Sequence, residues 1–104
     1  MITVTAEYDR RKRLRAFTAE NHGKSEVCAA VSLTVINTVN SIEALTGEPF
    51  SSEYLEEGGL LRFAFTGPPK VKARLLADSM MMGLRQVRDK YGGEIVILEK
   101  EWKG

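Results

Sequence analysis

One cysteine and one histidine occur among the 104 residues, at positions 28 and 22. A thiol becomes a nucleophile as thiolate, and an imidazole within reach is the usual base that makes it one. Ser25 reads as the N-cap of a helix, which puts Cys28 at its third helical position. Unpaired backbone N–H groups and the helix dipole favour negative charge there. His22 precedes the helix in the segment Glu20–Ser25, short and polar enough to fold back and set the ring against the sulfur. The chemistry such a pair supports is acyl transfer through a thioester. The same residues also have a plainer reading. Cysteine is often a small buried hydrophobe, and a loop histidine is often only a solvated side chain.

Ser32 lies one turn after Cys28 on the same helical face, so its hydroxyl either enters the site or bonds back to a carbonyl of its own helix. Asn37 and Asn40 lie deeper in that helix and carry no catalytic assignment. The run Arg10-Arg11-Lys12-Arg13 is a basic turn, a candidate for an acidic partner or ribosomal RNA, although such a run is more often a solvated hairpin tip. One His and one Cys fall short of the roughly four ligands of structural zinc, so neither a metal nor another cofactor is expected.

These residues need elements to hold them. Ile2, Val4, Ala6 and Tyr8 alternate with polar residues, and a second strand through Leu14–Thr18 closes a hairpin over residues 2–19. From Ser25 to about Leu45 the apolar residues Val27, Val31, Val35, Val39 and Ile42 recur at helical spacing, and Gly47 ends the run. A short edge strand at Phe50–Leu55, ending at Gly58-Gly59, and a firmer strand at Leu60–Thr66 follow. After Gly67-Pro68-Pro69 a second helix runs over about Val71–Tyr91, with Ala73, Leu76, Met80, Leu84, Val87 and Tyr91 as its apolar stripe. Met80–Met82 are expected in core or dimer contacts. Ile95–Leu98 form the last strand and Trp102 follows. The order ββαββαβ predicts an α+β fold, a two-layer sandwich with two helices on one face of a mainly antiparallel sheet, as one domain over residues 1–104.

Composition narrows the class. Hydrophobic residues make up 43% and charged residues 28%, which is globular. A net charge of +1 provides no global attraction to nucleic acid or an anionic membrane. A lone cysteine argues for a reducing compartment. The alternating start at Met1-Ile2-Thr3-Val4 is unlike a signal peptide, and apolar runs fall short of the roughly 20 residues of a membrane span. A cytoplasmic protein without membrane contact is expected.

Three stretches resemble the ribosomal-processing cysteine protease family: His22-Gly23, the string Gly23-Lys24-Ser25-Glu26-Val27-Cys28-Ala29-Ala30-Val31-Ser32, and Asn37-Thr38-Val39-Asn40-Ser41. The family pattern is a Gly-His-Ala segment, a glycine-containing loop and an Asp-x-Val-Cys-Ala-Ala-Val-Ser helix start, and the likeness covers nearly the whole chain. It implies His22 as general base, Cys28 as nucleophile, a homodimer, and a substrate that is the N-terminal extension on the precursor of large-subunit ribosomal protein number twenty-seven. Asn21, Gly23 and Ser25 depart from the family's usual Gly, Ala and Asp, and the stretch from His to Cys is shorter than usual.

Ser25 and Ser32 are therefore expected to support the site, and Asn21, Gly23 and Lys24 to form a substrate loop. With few apolar anchors, that loop is expected to be mobile and to bring His22 to Cys28 only when substrate orders it. The competing reading is a non-catalytic ribosome-associated module of the same fold, for which the nucleic-acid contact runs through Arg10, Arg11, Lys12 and Arg13. A purely structural dimer is the third.

Overall fold

The computed structural model describes residues 1–21, 23–55 and 59–104. Strands β1 (Ile2–Tyr8) and β2 (Leu14–Glu20) form the expected hairpin, and helix α1 (Ser25–Ser41) follows. Then come β3 (Phe50–Tyr54), β4 (Gly59–Phe65), helix α2 (Val71–Lys90) and β5 (Ile95–Glu101). The order is ββαββαβ, and the sheet order is β3-β4-β2-β1-β5. β1–β2, β2–β4 and β3–β4 are antiparallel, while β5 runs parallel to β1 from the Ile2–Ile95 pair to the Tyr8–Glu101 pair. The α+β sandwich with a mainly antiparallel sheet is the fold the patterning predicts.

One face of the sheet takes the helices. Ile2, Val4 and Ala6 of β1, Phe17 and Ala19 of β2, and Leu61, Phe63 and Phe65 of β4 are buried there, against Val27, Val31, Val35 and Val39 of α1 and Ala73, Ala77, Met80 and Leu84 of α2. Met80 and Met81 are core residues, whereas Met82 is exposed. Phe63 sits at the middle of an aromatic cluster, with ring centroids 4.9 Å from each of Phe17, Phe50 and Phe65.

Boundaries differ from the expectation in instructive places. β5 continues through Glu99, Lys100 and Glu101, because pairing with Ala6, Glu7 and Tyr8 extends the ladder beyond the apolar run. The helix from Ser25 turns into a π turn at Ile42–Thr46, where the Gly47 N–H reaches back 3.2 Å to the Ile42 carbonyl and Gly47 takes the left-handed conformation (φ 66°). α1 and this turn together make 22 residues apolar enough by composition to cross a membrane, which corrects the expectation that no segment approaches that length. Its buried residues Val27, Val31, Val35, Thr38 and Val39 lie along one side, as in a core helix. The expected break at Gly58 lies outside the described residues.

At the hairpin tip, the Lys12 N–H donates to the Asp9 carbonyl and the Asp9 N–H to the Arg13 carbonyl, both at 3.0 Å. Asp9 closes the turn with its side chain as well, accepting from the Arg11 N–H at 2.9 Å and the Arg13 N–H at 3.1 Å through Oδ1. Lys12 pays for the reversal with a left-handed φ of 64°.

Candidate active site

β2, the central strand, delivers the chain to the edge of the sheet at Glu20, and α1 leaves from Ser25. Asn21 makes the corner with φ 70°, a left-handed conformation that asparagine tolerates and glycine adopts freely. That explains how Asn replaces the family's usual Gly here: both residues accept positive φ. The Asn21 Nδ2 lies 3.5 Å from Thr3 Oγ1. Gly23 is half-buried, and a β-carbon on it would meet Ile2 Cγ1 at 3.4 Å and the Glu94 carbonyl oxygen at 3.5 Å. Lys24 Nζ lies 3.8 Å from Glu94 Oε1. The polar contacts of Asn21 and Lys24, and the approach of Gly23 to Ile2, set this segment beside the start of β1 and the turn before β5. His22 lies outside the described residues.

Helix α1 begins one residue earlier in its capping than the sequence suggests. Lys24 is the N-cap, in an extended conformation (φ −62°, ψ 150°), and its side chain makes no capping hydrogen bond. Ser25 is the first helical residue and is exposed. Cys28 accordingly takes the fourth helical position, and its own N–H already donates to the Lys24 carbonyl at 2.9 Å. The N–H groups without an acceptor inside the helix are those of Ser25, Glu26 and Val27. Helical side chains lean toward the N-terminus, so the sulfur leans toward that turn of donors. Val27, fully buried, pins the turn to the core, while Cys28 is a free, half-buried thiol packed at the core's margin.

Ser32 follows Cys28 by one turn and is half-buried. Thr34 and Thr38 bond back to the carbonyls of Ala30 and Thr34, but the Ser32 hydroxyl makes no such bond and has no partner among the described residues. It stays available on the face that carries the thiol. Asn37 and Asn40 are exposed.

The larger clefts are elsewhere. One of about 580 Å³ lies between Tyr8, Met81, Met82 and Arg85, another of about 560 Å³ lies under the hairpin tip, and neither is lined by Cys28. At the start of α1, the Glu94 contact had no signal in the sequence, since it depends on β5 lying beside β1.

The model of the family described as cysteine protease Prp matches residues 1–96, and the chain belongs to that family. The essential ribosomal processing protease Prp from S. aureus, solved with a covalently linked product peptide, superposes with a TM-score of 0.90 at 25% identity, covering 96% of this chain and 100% of that one. The same protease with a substrate peptide gives 0.89 at 24% over 96% and 100%. A Streptococcus mutans protein gives 0.86 at 23% over 98% and 99%. Among curated proteins none is significantly similar to the chain.

Proposed function

We propose that this protein is a cysteine endopeptidase with a Cys28–His22 dyad, which removes the N-terminal extension from the precursor of large-subunit ribosomal protein number twenty-seven. The observation that carries this reading is the single thiol, half-buried in the first turns of α1, in a chain of the cysteine protease Prp family. The S. aureus relative's covalently linked product peptide supports a covalent route.

In this mechanism His22 takes the Cys28 proton and the thiolate attacks the scissile carbonyl carbon. The resulting oxyanion is held by N–H groups of the α1 first turn, those of Ser25, Glu26 and Val27 being free of helical acceptors. The tetrahedral adduct collapses, the C–N bond breaks, and the His22 imidazolium gives its proton to the departing amine. Water, deprotonated by His22, then attacks the thioester and releases the thiol. Ser25 and Ser32 flank the sulfur along the helix, and Asn21, Gly23 and Lys24 border the substrate. The protein acts in the cytoplasm as a homodimer.

The test is cleavage of a peptide spanning the extension and its junction. Cys28→Ala abolishes cleavage and His22→Ala slows it by about 100-fold or more, the typical contribution of a positioned base. Equal cleavage by wild type and Cys28→Ala would end this reading. Gel filtration with light scattering checks the dimer.

A further inference from the structure

We propose that the groove under the β1–β2 hairpin tip is a docking site for single-stranded RNA, separate from the proteolytic site. The parallel placement of β5 creates it. β5 ends beside the end of β1, and the Trp102 N–H donates to the Tyr8 carbonyl at 2.7 Å, so the C-terminal residues lie directly under the hairpin. The groove, of about 560 Å³, is lined by the cations Arg10, Arg11, Arg13, Arg15 and Lys103, by Trp102, and by two carboxylates.

Those carboxylates do not neutralise it. Asp9 is occupied by the turn: Oδ1 takes two backbone N–H groups, and Oδ2 takes the Arg13 Nε at 2.8 Å. Glu101 makes no ion pair among the described residues, and neither do Arg10, Arg11 or Lys103, so the Glu101 charge offsets one of these three cations and leaves the groove net positive. Arg15 is the extra residue of a bulge between the Glu7–Ala16 and Tyr8–Leu14 pairs, and bulges re-aim side chains. Its guanidinium stacks 5.1 Å from the Trp102 ring, its Nε is buried without an acceptor, and its nearest carboxylate oxygen is the occupied Asp9 Oδ2 at 3.9 Å. The groove thus holds a surplus of unpaired positive charge beside an aromatic ring.

Cations that track a backbone, together with an aromatic platform for a base, are what single-stranded nucleic acid requires, whereas an acidic peptide has no use for the ring. RNA is chosen over DNA on the proposed reading that the substrate is a ribosomal protein precursor. The groove adjoins Tyr8 and the thiol's loop adjoins Ile2, at opposite ends of a seven-residue strand that spans about 20 Å, so RNA can dock while Cys28 stays open.

Trp102 is the sole tryptophan, so its fluorescence reports the groove alone. Titrating the whole protein with a ten-nucleotide RNA is expected to quench it, with a slope of log affinity on log salt of about −2 for three phosphates. Arg10→Gln/Arg11→Gln is expected to flatten that slope by about 1.4, with an unchanged melting temperature and wild-type cleavage of the short peptide. Cys28→Ala binds RNA as wild type does, so failure of the protease reading leaves this one standing. RNA binding without quenching, unchanged binding by the double variant, or equal quenching by polyglutamate would overturn the proposal.

Discussion

At the scale of single residues, the turn from β2 into α1 shows how substitutions at a site keep its backbone. Asn21 must hold a positive φ, so Asn21→Gly is expected to be tolerated, and Asn21→Val to cost about 1–2 kcal/mol because a β-branched residue resists that conformation. Gly23 stands under the opposite constraint. Its φ lies outside the left-handed region, and an added β-carbon would make contacts of 3.4–3.5 Å to the movable Ile2 side chain and the Glu94 carbonyl. Gly23→Ala, the residue usual in the family, should therefore stabilise the protein by about 0.4–1 kcal/mol through the unfolded chain. Urea midpoints decide both, and a loss of stability in Gly23→Ala would mean that the loop is not seated on Ile2.

At the scale of elements, the hairpin and the start of α2 depend on acidic side chains. Partial burial disfavours the Asp9 charge, but the Arg13 N–H, the Arg13 guanidinium and the Arg11 N–H outweigh it and hold the carboxyl below its usual value. A carboxyl depressed on folding stabilises the protein above its unfolded pKa, and that contribution is lost as pH falls through the lower folded value. Asp9→Asn should thus be less stable than wild type at pH 6, and the gap should close below about pH 3.9, the ordinary aspartate value. Equal gaps in urea melts at pH 6 and at lower pH would contradict this. α2 has no cap from its own Lys70 side chain; instead Glu48 Oε1 accepts the Lys70 N–H at 2.8 Å, joining the end of the π turn to the next helix. Glu48→Ala is expected to cost about 1 kcal/mol, as loss of an N-terminal cap does, seen as a lower melting temperature.

At the scale of the whole molecule, the two layers meet at Phe63, which is fully buried and touches aromatic rings from β2, β3 and β4. Phe63→Ala should cost about 3–5 kcal/mol, since the cavity lies where the sheet cannot collapse, and a chemical denaturation curve measures it. The same architecture separates two surfaces: the start of β1 with the thiol's loop, and the end of β1 with the basic groove. A lesion in the core weakens both, while a substitution in either surface should leave the other's readout unchanged.

Periodicity alone was enough for the order ββαββαβ, because alternation in β1 and β4 and the valine spacing in α1 are local consequences of which face is buried. The nucleophile candidate was legible too: with one cysteine in the chain, and that one in the first turns of a helix, no tertiary information was needed to single it out. Sheet order was not legible, because the parallel pairing of β5 with β1 joins residues more than 90 positions apart and leaves no local trace. That pairing decides what surrounds the candidate site. It brings Glu94 to Gly23 and Lys24 at one end, and Trp102 to Arg15 at the other. The cap of α1 was misplaced by one residue for a related reason: Ser25 has the side chain of a cap, but the backbone path from the central strand puts Lys24 in the extended conformation and starts the helix at Ser25. Residue type determined what could react, and long-range strand pairing determined what stands beside it.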